Sequence, residues 1–125
     1  MPAPINTGLP VNVVQSLSIN YASATAASAG QLVDFTGNLV TVATTVPFGV
    51  LREDAVQNRI VSVATVGMVE MIAGAAVAIG AAITADATGR GITAVAGNQI
   101  FARAMSATTA AGQRFQALIT REGTT

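Results

Sequence analysis

Residues 79–95 read I-G-A-A-I-T-A-D-A-T-G-R-G-I-T-A-V. Two short apolar runs, residues 81–84 and 92–95, flank the glycine-bracketed turn Ala87-Thr88-Gly89-Arg90-Gly91. About fifty residues earlier, residues 29–42 read A-G-Q-L-V-D-F-T-G-N-L-V-T-V. Each stretch has a Gly, an apolar pair, an acid (Asp34 or Asp86), Thr-Gly, and then an apolar run with Thr. Gly and Asn tolerate the positive φ that tight hairpins require, so both stretches are expected to be β-hairpins. Asp34 and Asp86 are expected to accept backbone N–H bonds at the two turns rather than to act as a catalytic dyad.

The echo continues outward. Gly30 matches Gly80, Gly37 matches Gly89, Phe48 matches Phe101 and Arg59 matches Arg114, at separations that widen from 50 to 55 residues. Residues 29–71 and 79–121 therefore read as two copies of a β-hairpin-plus-strand unit. Two copies are too few for a solenoid. The expected fold is all-β, a small β-barrel or β-sandwich that limits exposed strand edges.

Ahead of the first copy, residues 1–10 hold three of the four prolines. Proline lacks the amide donor of a helix or central strand, so an extended N-terminal arm is expected. Residues 11–20 place Val11, Val13, Leu17 and Ile19 on one face, the period of a half-buried strand. Residues 1–20 are read as arm and first strand, and residues 21–125 as a single β domain. Within it, strands are expected at 31–35, 39–43, 46–51, 99–105 and 114–121, with Pro47 at an edge or a strand start. Residues 59–71, rich in Val and Ile, read as the longest strand, with a bulge or bend at Gly67. Residues 75–84 read as one or two short strands with Val77, Ile79 and Ile83 on one face. Residues 52–58 read as an exposed loop, and 122–125 as a polar tail.

Composition excludes much chemistry. Charge is balanced, six Arg against six acids with no Lys, so no nucleic-acid partner is expected, since phosphate binding needs clustered cations. There is no Cys and no His, which removes thiol catalysis, disulfides and the usual metal ligands. Ser and Thr are plentiful but lack a usual base, and no phosphate-loop pattern occurs. No catalytic residue, cofactor or metal is expected, and the chain is read as not an enzyme. The longest uncharged apolar run, residues 71–85, is short of the ~20 residues of a spanning helix, so no membrane partner is expected. The first residues carry neither the basic nor the apolar region of a signal peptide. Hydrophobic content of 51% with 10% charge is high for a small monomer, which points to apolar surface used in an assembly. Glu70 stands alone in an apolar run, placed to point outward from a strand or to pair with an Arg across a subunit interface.

The segments A-G-Q-L-V (29–33), P-F-G-V-L (47–51), V-G-M-V-E-M (66–71), I-G-A-A-I-T-A-D (79–86), I-F-A-R-A-M (100–105) and F-Q-A-L-I (115–119) resemble the small capsid cement, or decoration, proteins of tailed phages. The resemblance covers residues 28–121 and implies an all-β, homotrimeric knob on the outer surface of the mature icosahedral capsid. It would bind the major capsid protein between capsomers and stabilise the virion head. The proline-rich arm departs from the family's shorter start. Ile5, Asn6, Leu9 and Pro10 are the expected shell contacts, and Arg52, Glu53, Arg59 and Glu70 the expected inter-subunit contacts. The alternative is a head-fibre-type or carbohydrate-binding β module for host attachment.

Overall fold

The computed structural model of the protein describes residues 16–125. The expected arm and the positions Val11 and Val13 lie outside the described residues. The described chain is all-β, as expected, with no helix. Its strands are β1 (Ser16–Asn20), β2 (Leu32–Asp34), β3 (Pro47–Leu51), β4 (Ile60–Ala64), β5 (Met68–Ile72), β6 (Ala82–Ala85), β7 (Gly91–Thr93), β8 (Gln99–Ala104) and β9 (Arg114–Thr124). They form two antiparallel sheets and no closed barrel: an N-terminal sheet in the order β1-β4-β3-β2 and a C-terminal sheet in the order β5-β9-β8-β6-β7.

The two sheets are wired alike. In each, the first strand in chain order pairs with the last, β1 with β4 and β5 with β9. The aromatic strand lies on the other side, β3 on β4 and β8 on β9. The amides of Gly30 and Gly80, both at positive φ, donate to Leu51 O (2.8 Å) and Ala104 O (2.7 Å). Ala27 bridges Ala55 as Val77 bridges Thr108. Asn58 and Gly112, again both at positive φ, donate to Tyr21 O and Ala73 O at 2.8 Å. These bonds set Arg59 against Gln113 rather than against Arg114, one residue from the sequence alignment.

The faces of the sheets follow from the registers, because directly opposed residues share a face. We call "front" the face carrying Val61, Val63 and Leu51 in the N-terminal sheet and Phe115, Ala117 and Ala104 in the C-terminal one. One cluster covers the N-terminal front with Tyr21, Ala27 and Ala55 from its own loops. The other joins the sheets: Leu32, Val50 and Ala64 on the N-terminal back pack with Met71, Ile83, Phe115 and Ala117 on the C-terminal front. The N-terminal back therefore sits on the C-terminal front. Each Val, Leu or Phe buried in these clusters contributes about 1.5–3 kcal/mol relative to exposure.

Several sequence expectations give way to tertiary context. Residues 59–71 are two strands in different sheets, because Gly67 at φ 87° turns the chain out of β4 and into β5. Residues 39–43 make only a single bridge, Val33 to Leu39, so the first hairpin has one full strand. Pro47, by contrast, stands at a strand start as one of its two expected places: it opens β3, which is an interior strand. Val77 and Ile83 are buried but Ile79 is 71% exposed, since it sits in the turn before Gly80. The polar tail is strand: β9 runs to Thr124 and pairs with Gln99 beyond a register shift at residues 100–102.

Candidate interaction surface

The acids show where chemistry could reside, and each has a structural engagement. Asp34 Oδ1 accepts from Thr36 N (2.9 Å), Thr36 Oγ1 (2.6 Å) and Asn38 N (3.0 Å). Asp86 Oδ1 accepts from Thr88 N (2.8 Å), Thr88 Oγ1 (3.0 Å) and Arg90 N (2.9 Å). The same loop is thus built twice, with Gly37 and Gly89 at φ 87° and 78°. Partial burial pushes the Asp86 carboxyl up, but the Arg90 and Thr88 amides, the Thr88 hydroxyl and the Arg90 charge together hold it below the usual carboxylate value. Glu53 accepts Ser62 N (2.8 Å), and Asp54 accepts Ala29 N (3.0 Å). Glu122 takes a two-point bond from Arg103 (2.7 and 2.8 Å) and another from Thr120 (2.8 Å). Those donors lower its carboxyl to about 2. Among the described residues no three acids converge as a metal site would require.

The sheets meet along a cleft of about 280 Å³ between β5 and the ends of β3 and β4. Its floor includes Val50, Ala64 and Val69, and its rim carries Arg52, Glu70 and Arg114. Glu70 points outward from β5, with Oε1 3.6 Å from Arg114 Nη1 of the same chain. Arg114 Nη1 also donates to Ala29 O (2.9 Å), tying β9 to the loop before β2. Of the four residues read as inter-subunit contacts, the fold brings Arg52 and Glu70 to this cleft. It places Glu53 on the Ser62 amide and Arg59 beside Asn58, away from the cleft. Ile5, Asn6, Leu9 and Pro10 lie outside the described residues.

Arg121 closes the junction at the other end. Its backbone, at φ 48°, lies in the register shift of β9, and its guanidinium donates to Pro47 O (2.9 Å), Phe48 O (2.5 Å) and Thr65 O (3.1 Å) across the gap. The guanidinium carbon also sits 5.0 Å from the centre of the Phe101 ring, at cation–π distance. Burial lowers the Arg121 pKa. In the expected strand 114–121, Arg121 is only the last residue. Neither spacing nor composition signals a side chain that spans two sheets.

The back of the C-terminal sheet carries an open apolar pair. Met68 and Leu118 are directly opposed in β5 and β9 and are 60% and 43% exposed. In the next row Glu70 lies opposite Gln116, whose carbonyl takes the amide of exposed Met105 (2.7 Å). Arg103, opposite Leu118, carries its Glu122 partner along the rim. The sequence held a signal for this surface: Leu118 falls on the polar stripe of β9 with Arg114 and Gln116, where alternation calls for a polar residue.

The profile of a protein family described as phage cement protein matches residues 11–119. No curated protein matches the chain. Among solved structures, the head fiber gp8.5 N base in bacteriophage phi29 is similar in fold, with a TM-score of 0.71 and 17% identity over 86% of this chain and 97% of that one.

Proposed function

The chain belongs to the phage cement protein family, and on that footing we propose that it works as a homotrimer bound between capsomers of the mature icosahedral head. It is a structural protein of the virion, carried on the outer surface of the capsid. The observation that carries this reading is the extent of the family match, which takes in every strand down to the middle of β9. A protein that binds the assembled shell and not its separated subunits stabilises the shell by mass action. The balanced charge and the exposed Met68–Leu118 face suit attachment to protein rather than to nucleic acid. Ile5, Asn6, Leu9 and Pro10 are proposed as shell contacts, and Arg52, Glu53, Arg59 and Glu70 as contacts between subunits. The matched bonds of the two sheets support a duplicated unit whose copies run from β1 to β4 and from β5 to β9, so that residues 68–71, read with the first copy of 29–71, open the second instead.

Mixing the purified protein with undecorated, expanded capsids tests the reading by co-sedimentation and by resistance of the shell to heat. Saturable binding with a raised disruption temperature is expected. No binding to the expanded shell overturns it.

The likeness to a head fiber base favours one further reading, a module of a head fibre that attaches to a host. The single Tyr is fully buried and there is no Trp, which leaves little aromatic surface for sugar stacking. Binding of the isolated domain to a glycan panel would support this second reading over the first.

A further inference from the structure

The two sheets are equivalent in wiring but not in what covers them, and the uncovered positions form a matched pair. In register, Ala64 of β4 corresponds to Leu118 of β9, and Leu17 of β1 corresponds to Val69 of β5. Inside the chain these positions meet. Ala64, on the N-terminal back, shares a core cluster and a cleft wall with Val69, on the C-terminal front. Both are nearly buried, at 7% exposed. Among the described residues their counterparts have no such cover: Leu118 on the C-terminal back is 43% exposed, and Leu17 on the N-terminal front is 46% exposed. Each is the free half of a contact that the chain makes once within itself.

We infer that the back of the C-terminal sheet, at Met68 and Leu118, docks on the Leu17 end of the N-terminal front of a second copy of this chain. The internal packing of back on front supplies the geometry. This pairing rests on the self-association proposed above and specifies its surfaces. The contact is heterologous, one surface against a different one, so repetition closes a ring where the rotation permits. Phe35 is 64% exposed and stacks edge-on with Phe48 at 5.2 Å. Phe48 packs against the N-terminal front cluster from β3, on the far side of β4 from β1. On the docking side, Met68 supplies an unbranched chain that adapts to its partner. Arg103 stands where the N-terminal sheet has Val50. It enters the contact already neutralised by Glu122, at 2.7 Å, so no unpaired charge is brought in.

Native mass spectrometry and sedimentation of the full chain read the outcome. Wild type is expected to be oligomeric; a strict monomer at micromolar concentration removes the self-association reading as a whole. With wild type oligomeric, Leu17→Asp and Leu118→Asp are each expected to weaken assembly at least about thirtyfold. An equimolar mixture of the two variants should recover a one-to-one dimer, because each retains one intact surface. Unchanged assembly of either variant, or a mixture that stays monomeric, overturns the pairing while leaving self-association standing. Because the chain has no cysteine, Leu17→Cys and Leu118→Cys give a second test that leaves the core intact. Oxidation of the mixed variants should cross-link position 17 to position 118. Cross-linking of Leu118→Cys with itself, or none in the mixture, overturns the heterologous contact.

Discussion

The two sheets share a bonding plan and differ in how their fronts are filled. The N-terminal front is closed by Tyr21, fully buried, whose hydroxyl donates to Thr25 O at 2.7 Å. At the matching place the C-terminal sheet has Ala73. A methyl group cannot fill that space, and the cluster there draws Leu32, Val40, Val50 and Ala64 from the N-terminal half. One unit is thus closed by its own loops at its front except at the Leu17 end, while the other is completed by its neighbour. Once two copies of a plan are linked, a large-to-small difference at one position can turn a self-contained unit into a docking site.

The strongest way to break the comparison is to remove the plug. Tyr21→Ala is expected to destabilise the protein by about 3–5 kcal/mol through the cavity it leaves, measured by urea unfolding. Tyr21→Phe should cost only about 1 kcal/mol, the net worth of one hydrogen bond. Equal losses for the two variants would mean that the hydroxyl, not the ring, closes the front. The duplicated loops come next. Alanine at Gly37 or Gly89 pays about 1–2 kcal/mol for its positive φ. At Gly37 the added Cβ also runs into the backbone carbonyl of Asn20, whereas at Gly89 it meets Leu39 Cδ1 at 2.7 Å, a side chain that can move. Gly37→Ala should therefore be the more damaging by about 1 kcal/mol or more. Matching midpoints would show that the two loops are equally constrained.

A comparable effect is expected at the clasp. Arg121→Ala loses three bonds to carbonyls of the N-terminal half and should cost about 1.5–3 kcal/mol, the scale of a hydrogen bond to a charged group. Lys should restore only part of that loss, because an ammonium cannot reproduce the planar fork. Full rescue by Lys would mean that charge alone matters. The smallest effect is in acid. The folded Glu122 carboxyl is lowered from 4.5 to about 2 by Arg103 and Thr120. A depressed folded value means that its stabilising contribution is complete above about pH 4.5 and is lost as pH falls toward 2. Asp86, also lowered, acts in the same direction. Glu122→Gln should flatten the fall of unfolding free energy between pH 4.5 and pH 2, and an unchanged slope would assign the acid sensitivity elsewhere.

The Asp-x-Thr-Gly turns were readable because donor and acceptor lie within four residues, so spacing alone sets the bonds. The β character of residues 60–64 and 68–72 was readable from their Val and Ile content. Their assignment to different sheets was not, since alternation looks the same on either side of Gly67. For the candidate surface, Leu118 could be found from its misplaced position on the polar stripe of β9. Arg121 and Arg114 could not, because the carbonyls they reach lie 56 to 85 residues away.

By itself the sequence determined an all-β chain without thiol or imidazole chemistry, two aspartate-stapled loops and a surplus of apolar side chains. These are consequences of residue type and short spacing, where local sterics and nearby donors decide. Only the tertiary structure decided which apolar faces are spent inside the chain. Burial depends on which remote strand arrives over a face: Val50 and Ala64 are covered because the C-terminal front lies over them, and Leu118, at the place matching Ala64, has none of the described strands above it and remains open.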